Sequence, residues 1–293
     1  MNKEIPEYFK SLQDQITSRL EVIDGKEKFH QDSWNHKSGG GGRTRVLSEG
    51  RIFEKAGVSF SEVHGDKLPD SALDQLPEIT ENTGFSATGI SLIIHPLNPH
   101  VPTVHMNYRY FESGDTWWFG GGTDLTPYYP YKEDVIHFHR SLKDACDNTD
   151  ESYYPKFKKW CDEYFYIQHR DEPRGVGGIF FDHLSGELDQ TFSFVQDCGD
   201  NFLPAYEPIV LKRRDINYTE PQREFQLYRR GRYVEFNLVY DRGTKFGLQT
   251  GGRIESILVS MPPLVKWKYD YHPEPESREA ELYNEFLQIK DWI

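Results

Sequence analysis

His95, His105, Asn107 and Arg109, with Ser91 and Thr103, sit at alternate positions of two apolar-rich runs within residues 90–111. The runs are separated by Pro96, Asn98, Pro99 and Pro102, and such punctuation predicts a β-hairpin. Alternate side chains of a strand share a face. One face then carries Ile90, Leu92, Ile94, Val104, Met106, Tyr108 and Tyr110, and the other carries the polar set plus Ile93. A turn centred on Asn98 sets Ser91 opposite His105. A solvated sheet surface is the ordinary fate of a polar face, but solvated faces favour Lys and Glu, which are absent here. Two histidines, an asparagine, a serine and an arginine instead suit the floor of a polar cleft.

Other stretches offer chemistry to that floor. Trp117-Trp-Phe-Gly-Gly-Gly-Thr-Asp124 runs from an aromatic strand through three glycines to a carboxylate. Glycines let backbone approach a ligand closely, although a turn or helix cap is the usual role of Asp after Gly. His139 falls on the inward face of a predicted helix and His169 at the edge of another. Four histidines near one cleft can bind a divalent metal or move protons near neutral pH. Arg109 and Arg253 suit carboxylates, because a guanidinium pairs bidentately with them. No Gly-x-Ser-x-Gly elbow and no GxGxxG signature occurs, and Gly39-Gly-Gly-Gly-Arg-Thr-Arg45 lacks the Gly-Lys-Ser/Thr that closes a P-loop. Residue logic thus reaches an aromatic-lined cleft that handles an anionic substrate by proton transfer or metal-assisted chemistry, and stops there.

The formal charge of −13 over 293 residues excludes nucleic acid and anionic membrane surfaces as partners. It leaves room for a small anion held by local arginines. Cys146, Cys161 and Cys198 form no CxxC pair, which points to buried thiols in a reducing compartment. No apolar run is long enough for membrane insertion. The acidic start of the chain has neither a signal core nor a transit-peptide composition. The expected location is therefore cytoplasmic, and without a linker the expected organisation is a single domain, 1–293.

The elements that must position these residues follow in order. Phe9, Leu12, Ile16, Leu20 and Ile23 predict an amphipathic helix over 6–23. The glycine-rich 34–45 reads as a flexible loop, with an anion-touching lid as its functional alternative. Strands are expected over 44–64, a polar connection over 65–83, and helices over 131–147 and 153–170. A loop from Arg174 enters a short buried strand ending at Asp182. Residues 186–229 read as helical, broken by prolines. Alternation after Arg229 predicts a strand closed by a turn at Asp241-Arg242-Gly243, and Thr250-Gly-Gly-Arg253 predicts a corner followed by another strand. A last helix covers 276–289. The order lacks regular βαβ alternation, so the fold class is α+β, a large, mostly antiparallel sheet covered on both faces by helices.

The stretch Ser91 to Phe111, Trp117-Trp-Phe-Gly-Gly-Gly-Thr-Asp-Leu-Thr-Pro127, Tyr154-Pro-Lys-Phe-Lys-Lys-Trp-Cys-Asp-Glu-Tyr-Phe165, Arg174-Gly-Val-Gly-Gly-Ile-Phe-Phe-Asp182 and the segment from Arg229 to Pro263 together resemble oxygen-dependent coproporphyrinogen III oxidases. The resemblance spans nearly the whole chain. It implies a flat antiparallel sheet between helices, a homodimer, and a haem-biosynthetic reaction. In that reaction two propionates of coproporphyrinogen III become vinyl groups, with two dioxygen consumed and two carbon dioxide released. It implies dioxygen as co-substrate and no organic cofactor. By the same resemblance His105 is the proton donor, and Asp124 accepts pyrrole N–H groups beside Arg109. Ser91, Asn107, Tyr108, Arg109, Gly251, Gly252 and Arg253 bind substrate. His95, His105, His139 and His169 ligate a divalent cation of the manganese type. His105 cannot serve fully as both ligand and donor from one nitrogen. The competing readings are a His-ligated metal oxygenase acting on another aromatic acid and a non-catalytic tetrapyrrole carrier.

Overall fold

Residues 3–37, 39–67, 83–249 and 252–293 are described by a computed structural model. Helix α1 (Glu4–Asp24) comes first, its buried stripe of Ile5, Phe9, Leu12, Ile16, Leu20 and Ile23 at most 3% exposed. It stops at Gly25, whose φ of 70° is the left-handed conformation that glycine takes without a Cβ clash. Six strands follow: β1 (His30–Asn35), β2 (Gly40–Ser48), β3 (Phe53–Gly65), β4 (Phe85–Pro96), β5 (Thr103–Ser113) and β6 (Thr116–Thr126). Helices α2 (Lys132–Asp147) and α3 (Tyr153–Tyr164) precede a small pair, β7 (Tyr166–Ile167) and β8 (Glu172–Pro173), and then strand β9 (Gly178–Leu184). Helices α4 (Leu188–Asp200), α5 (Phe202–Arg213), α6 (Glu220–Val239), α7 (Arg242–Gln249) and α8 (Ile254–Leu258) complete the body. The short α9 (Arg278–Glu281) runs into a π turn, Leu282–Phe286, where a helix over 276–289 is expected.

The main sheet has the order β1-β2-β3-β4-β5-β6-β9, with every neighbouring pair antiparallel. The expected α+β architecture is therefore present. One face carries Ile90, Leu92, Val104, Met106 and Tyr108 into a core shared with α1, α2, α4 and α5. Burying each such side chain contributes about 1.5–3 kcal/mol. The opposite face is roofed by α6 to α8. Tyr233 meets His95 edge-on at 5.2 Å, Ser256 shares a hydrogen bond with Thr44, and Val259 packs over Gly57.

Several expectations change. The hairpin pairs Ser91 with Asn107 and Ile93 with His105, so the turn centres on Pro99. Asn98 opens it instead: its side chain accepts the His100 N–H and its carbonyl accepts the Val101 N–H. A two-residue change in pairing leaves both faces as expected. The glycines of 34–45 are not a loop. Gly40, Gly41 and Gly42 open β2, flanked by β1 and β3, and a Cβ on Gly41 would lie 2.1 Å from the Trp34 carbonyl. Residues 229–239 are helix, within α6, whose start is fixed by a Thr219–Gln222 capping box and Pro221. Alternation misleads there because the helix is buried on several sides, with Arg229, Arg230, Tyr233, Phe236 and Asn237 all enclosed. The stretch after Arg253 is likewise helical, as α8. The helix expected over 153–170 ends at Tyr164, and the chain turns through a 3₁₀ segment, Gln168–Arg170, closed by Asp171 at φ 54°. Most of the connection 65–83 lies outside the described residues.

Candidate active site

The register assembles a floor on the polar face. One row across the ladder reads Thr44, Ser59, Ser91, Asn107 and Gly122, and the next reads Gly42, Ser61, Gly89, Arg109 and Gly120. Small residues dominate, so few side chains stand up from the centre of this face. Ser59, Ser61, Gly89, Ser91, Asn107 and Arg109 are half-buried, whereas the opposite face is closed. A planar ring system can lie on such a surface.

His105 and Asp124 are direct cross-strand neighbours, a pairing that brings side chains into contact. His105 Nδ1 lies 2.9 Å from Asp124 Oδ1. Behind the carboxylate, the buried Arg174 guanidinium reaches both oxygens, at 2.7 and 2.8 Å. Arg174 also donates to Asn237 at 2.9 Å and stacks on Phe165, with its guanidinium carbon 4.0 Å from the ring centre. Burial by itself would raise the Asp124 pKa, but the Arg174 charge and the His105 contact outweigh it and hold the carboxyl below its ordinary value. An ionised Asp124 accepts a proton held on His105 Nδ1. That tautomer leaves Nε2 on the cleft side, where the imidazole is partly exposed. Asp124 is a strand residue in this arrangement, neither turn nor cap, and its oxygens are taken by Arg174 and His105. The carboxylate is 2% exposed and both oxygens are engaged, an arrangement that orients His105.

The other expected binding residues divide. Ser91, Asn107 and Arg109 share the floor. Arg109 donates to Asn107 Oδ1 at 3.2 Å, pairs with Asp182 at 2.7 Å and lies over Trp118. Tyr108 points to the opposite face, is fully buried, and hydrogen-bonds Thr123 at 2.7 Å. Strand parity thus sets its side chain on the core face, away from the polar floor. Arg253, at the start of α8, pairs with Asp32 and donates to Ser256 at 3.1 Å. Gly252 donates its N–H to the Gly247 carbonyl at 2.8 Å. Gly251 lies outside the described residues.

The four histidines do not converge, and among the described residues no three His, Cys, Asp or Glu side chains come together to hold a metal ion. His95 is fully buried under α6, with Nε2 at 2.9 Å from the Ser260 carbonyl and Nδ1 facing Thr103. His139 lies in the core layer. Its Nε2 donates to the Val176 carbonyl and its Nδ1 accepts from the Tyr154 hydroxyl, each at 2.9 Å. His169 has left the helix and sits at the surface between Tyr240 and Glu235. Each imidazole is occupied by its own protein partners, so this set does not fit a shared cation.

Arg174, Asp182 and Asn237 join the site only through the fold. The available signals were local: an arginine opening a glycine-rich entry to a buried strand, and a carboxylate ending the apolar run Ile179-Phe-Phe. A charge at the end of a buried strand requires a partner.

The sequence profile described as Coproporphyrinogen III oxidase matches residues 4–292. A protein of Prochlorococcus marinus (strain NATL1A), named oxygen-dependent coproporphyrinogen-III oxidase, is 53% identical over an alignment covering 96% of this chain and 88% of its own length. With the histidine–aspartate pair and the arginine-bearing polar floor in place, this chain belongs to the coproporphyrinogen III oxidase family.

Proposed function

We infer that the chain catalyses the aerobic oxidative decarboxylation of two propionates of coproporphyrinogen III, giving protoporphyrinogen IX in haem biosynthesis. The observation that carries the reading is the glycine- and serine-paved floor, with His105 and Arg109 on one strand two rows apart. It suits a broad, multi-ring polyanion and leaves one titratable group free to exchange protons.

For each propionate the balance is as follows. The ring-bound CH₂ loses a hydrogen with its electron pair, the bond to the carboxylate breaks, and that pair becomes the vinyl double bond as carbon dioxide leaves. Dioxygen takes the two electrons. The departing hydrogen, now a proton, and one further proton complete hydrogen peroxide. His105 Nε2 faces the cleft and is the donor of that further proton, while Asp124 holds the imidazolium. Arg109 and Arg253 bind propionates, and Ser91 and Asn107 hold polar edges. No step is routed through a metal.

The chain is further proposed to act in the cytoplasm; no helix among the described residues is long and apolar enough to cross a membrane. It is also proposed to form a homodimer through the adjoining elements α6, α7 and α8, which leave Leu238, Val239, Leu248 and Ile254 exposed. The test is direct. Purified protein supplied with coproporphyrinogen III in air should consume oxygen and form the divinyl product without added flavin. Equal turnover with and without oxygen sinks the reading, and recovery of unchanged ligand would leave a carrier in its place.

A further inference from the structure

Strand β9 breaks its own alternation at the edge of the floor. Gly121 of β6 pairs with Phe181 and Phe119 pairs with Leu184, so Asp182 and His183 both stand opposite Gly120. Two residues against one make a β-bulge, which re-aims a side chain. His183 has a φ of 49°, in the left-handed region that a residue with a Cβ seldom enters. In a regular strand Asp182 and His183 would point to opposite faces. Here both point to the polar one. Asp182 Oδ1 lies 2.7 Å from Arg109, and the His183 ring lies 4.6 Å from the Trp118 ring. Trp118 belongs to that face, since it pairs with Phe111, stacks on it at 5.3 Å and has the Arg109 guanidinium over its ring. Gly120 makes room for the bulge: a Cβ there would lie 2.5 Å from Asp182 Oδ1.

The imidazole placed in this way is uncommitted. Its side chain is 46% exposed, and Nδ1 stays 3.7 Å from Asp182 Oδ1. The hydrogen bond that this oxygen accepts from His183 comes from the backbone N–H, at 3.0 Å, and neither ring nitrogen hydrogen-bonds to a described residue. His95, His105 and His139, by contrast, each have a nitrogen fixed by a protein partner. The neighbouring Asp182 charge is answered by Arg109 at 2.7 Å and Arg242 at 3.4 Å, so it does not repel an anion from His183. A half-exposed ring adds little to the core, so packing does not account for a left-handed histidine. Strain of this kind collects where a side chain meets a ligand.

Position supplies the ligand group. Trp118 and His183 lie level with Phe111, six residues along β5 from His105, or about 20 Å at ~3.4 Å per residue. That span suits a macrocycle with a propionate on either side. We propose that His183 is a substrate-binding residue whose imidazole N–H donates to a carboxylate of the tetrapyrrole at the far end of the floor. The rim of this substrate carries only methyl groups and propionates, so a donor placed at the rim meets a carboxylate. The proposal rests on the porphyrinogen reading and is tested separately from it.

Coproporphyrin III, the oxidised and unreactive tetracarboxylate, is titrated by fluorescence into wild type, His183→Gly, His183→Asn and His183→Phe. Glycine takes the same φ without a Cβ clash, so His183→Gly removes the imidazole and keeps the bulge; thermal melts check that each variant is folded. His183→Gly should weaken binding about 10- to 100-fold, the range for a lost hydrogen bond to a charged group. His183→Asn, which tolerates this φ and keeps an N–H donor, should fall between. His183→Phe, which keeps a ring and loses the donor, should bind as weakly as His183→Gly. Wild-type affinity in folded His183→Gly overturns the assignment, and so does wild-type affinity in folded His183→Phe, because ring surface would then be the contact. Either result leaves the porphyrinogen reading intact. A wild-type protein that neither binds nor turns over porphyrinogen overturns the reading itself.

Discussion

At the scale of single residues, the decisive group is the buried Arg174–Asp124 pair with the partly exposed His105. Asp124 ionised and His105 tautomerically fixed are one device, because Arg174 and His105 together hold the buried carboxyl below its ordinary value. His105→Gln should lower kcat about 10²- to 10⁴-fold, with coproporphyrin III affinity changed only a few-fold; a matching loss in affinity would make His105 a binding group instead. Arg174→Gln leaves a buried carboxylate without its counter-charge, which should cost about 3–5 kcal/mol, read from urea denaturation. For the same reason Asp124→Ala should reduce stability as well as turnover, since it strands Arg174. Tyr108→Phe removes one buried hydrogen bond, worth about 1 kcal/mol, and should leave kcat/KM unchanged. A large loss of kcat/KM in that variant would contradict the strand parity described above.

At the scale of elements, His139 ties α2 to the strand entry at Val176 and to α3 through Tyr154. Burial pushes its pKa down to about 4, against about 6.5 in an unfolded chain. Between those values the unfolded chain binds a proton that the native chain refuses. Stability therefore falls as pH drops from about 6.5 towards 4 and is insensitive to this group above that window, by up to about 3 kcal/mol. Denaturation midpoints followed from pH 7 to 4.5 should show the slope, and His139→Gln should flatten it. Asp124 acts with the opposite charge logic: its lowered pKa stabilises the native state above about 4 and that contribution is lost in stronger acid. Elements also mark where sequence reasoning failed. The alternation within α6 suggests a strand because burial on several sides erases the 3.6-residue period of a helix. The glycine run of β2 suggests a loop because glycine's freedom is a local signal, whereas its place between two strands is a non-local one.

At the scale of the molecule, a homodimer built through α6 to α8 should sediment at about twice the 34.3 kDa chain mass. Leu248→Glu, on the exposed side of α7, should shift it towards the monomer. A wild-type monomer at micromolar concentration would count against the arrangement. The alternation of residues 90–111 was enough to define two faces, the core beneath one and the polar floor on the other, because a period of two is written in the chain itself. The helical stripe of α1 and the placement of His105, Asn107 and Arg109 on one surface were legible for the same reason. What only the tertiary structure decided was which charges meet. Asp124 faces His105 because β5 and β6 pair in one register, Arg174 arrives from fifty residues away, and Asp182 gathers arginines from a floor strand and a roof helix. The same packing kept four histidines apart, since burial gave each its own partners before any cation could share them. Local pattern governs which way a side chain points; long-range packing governs what it finds there.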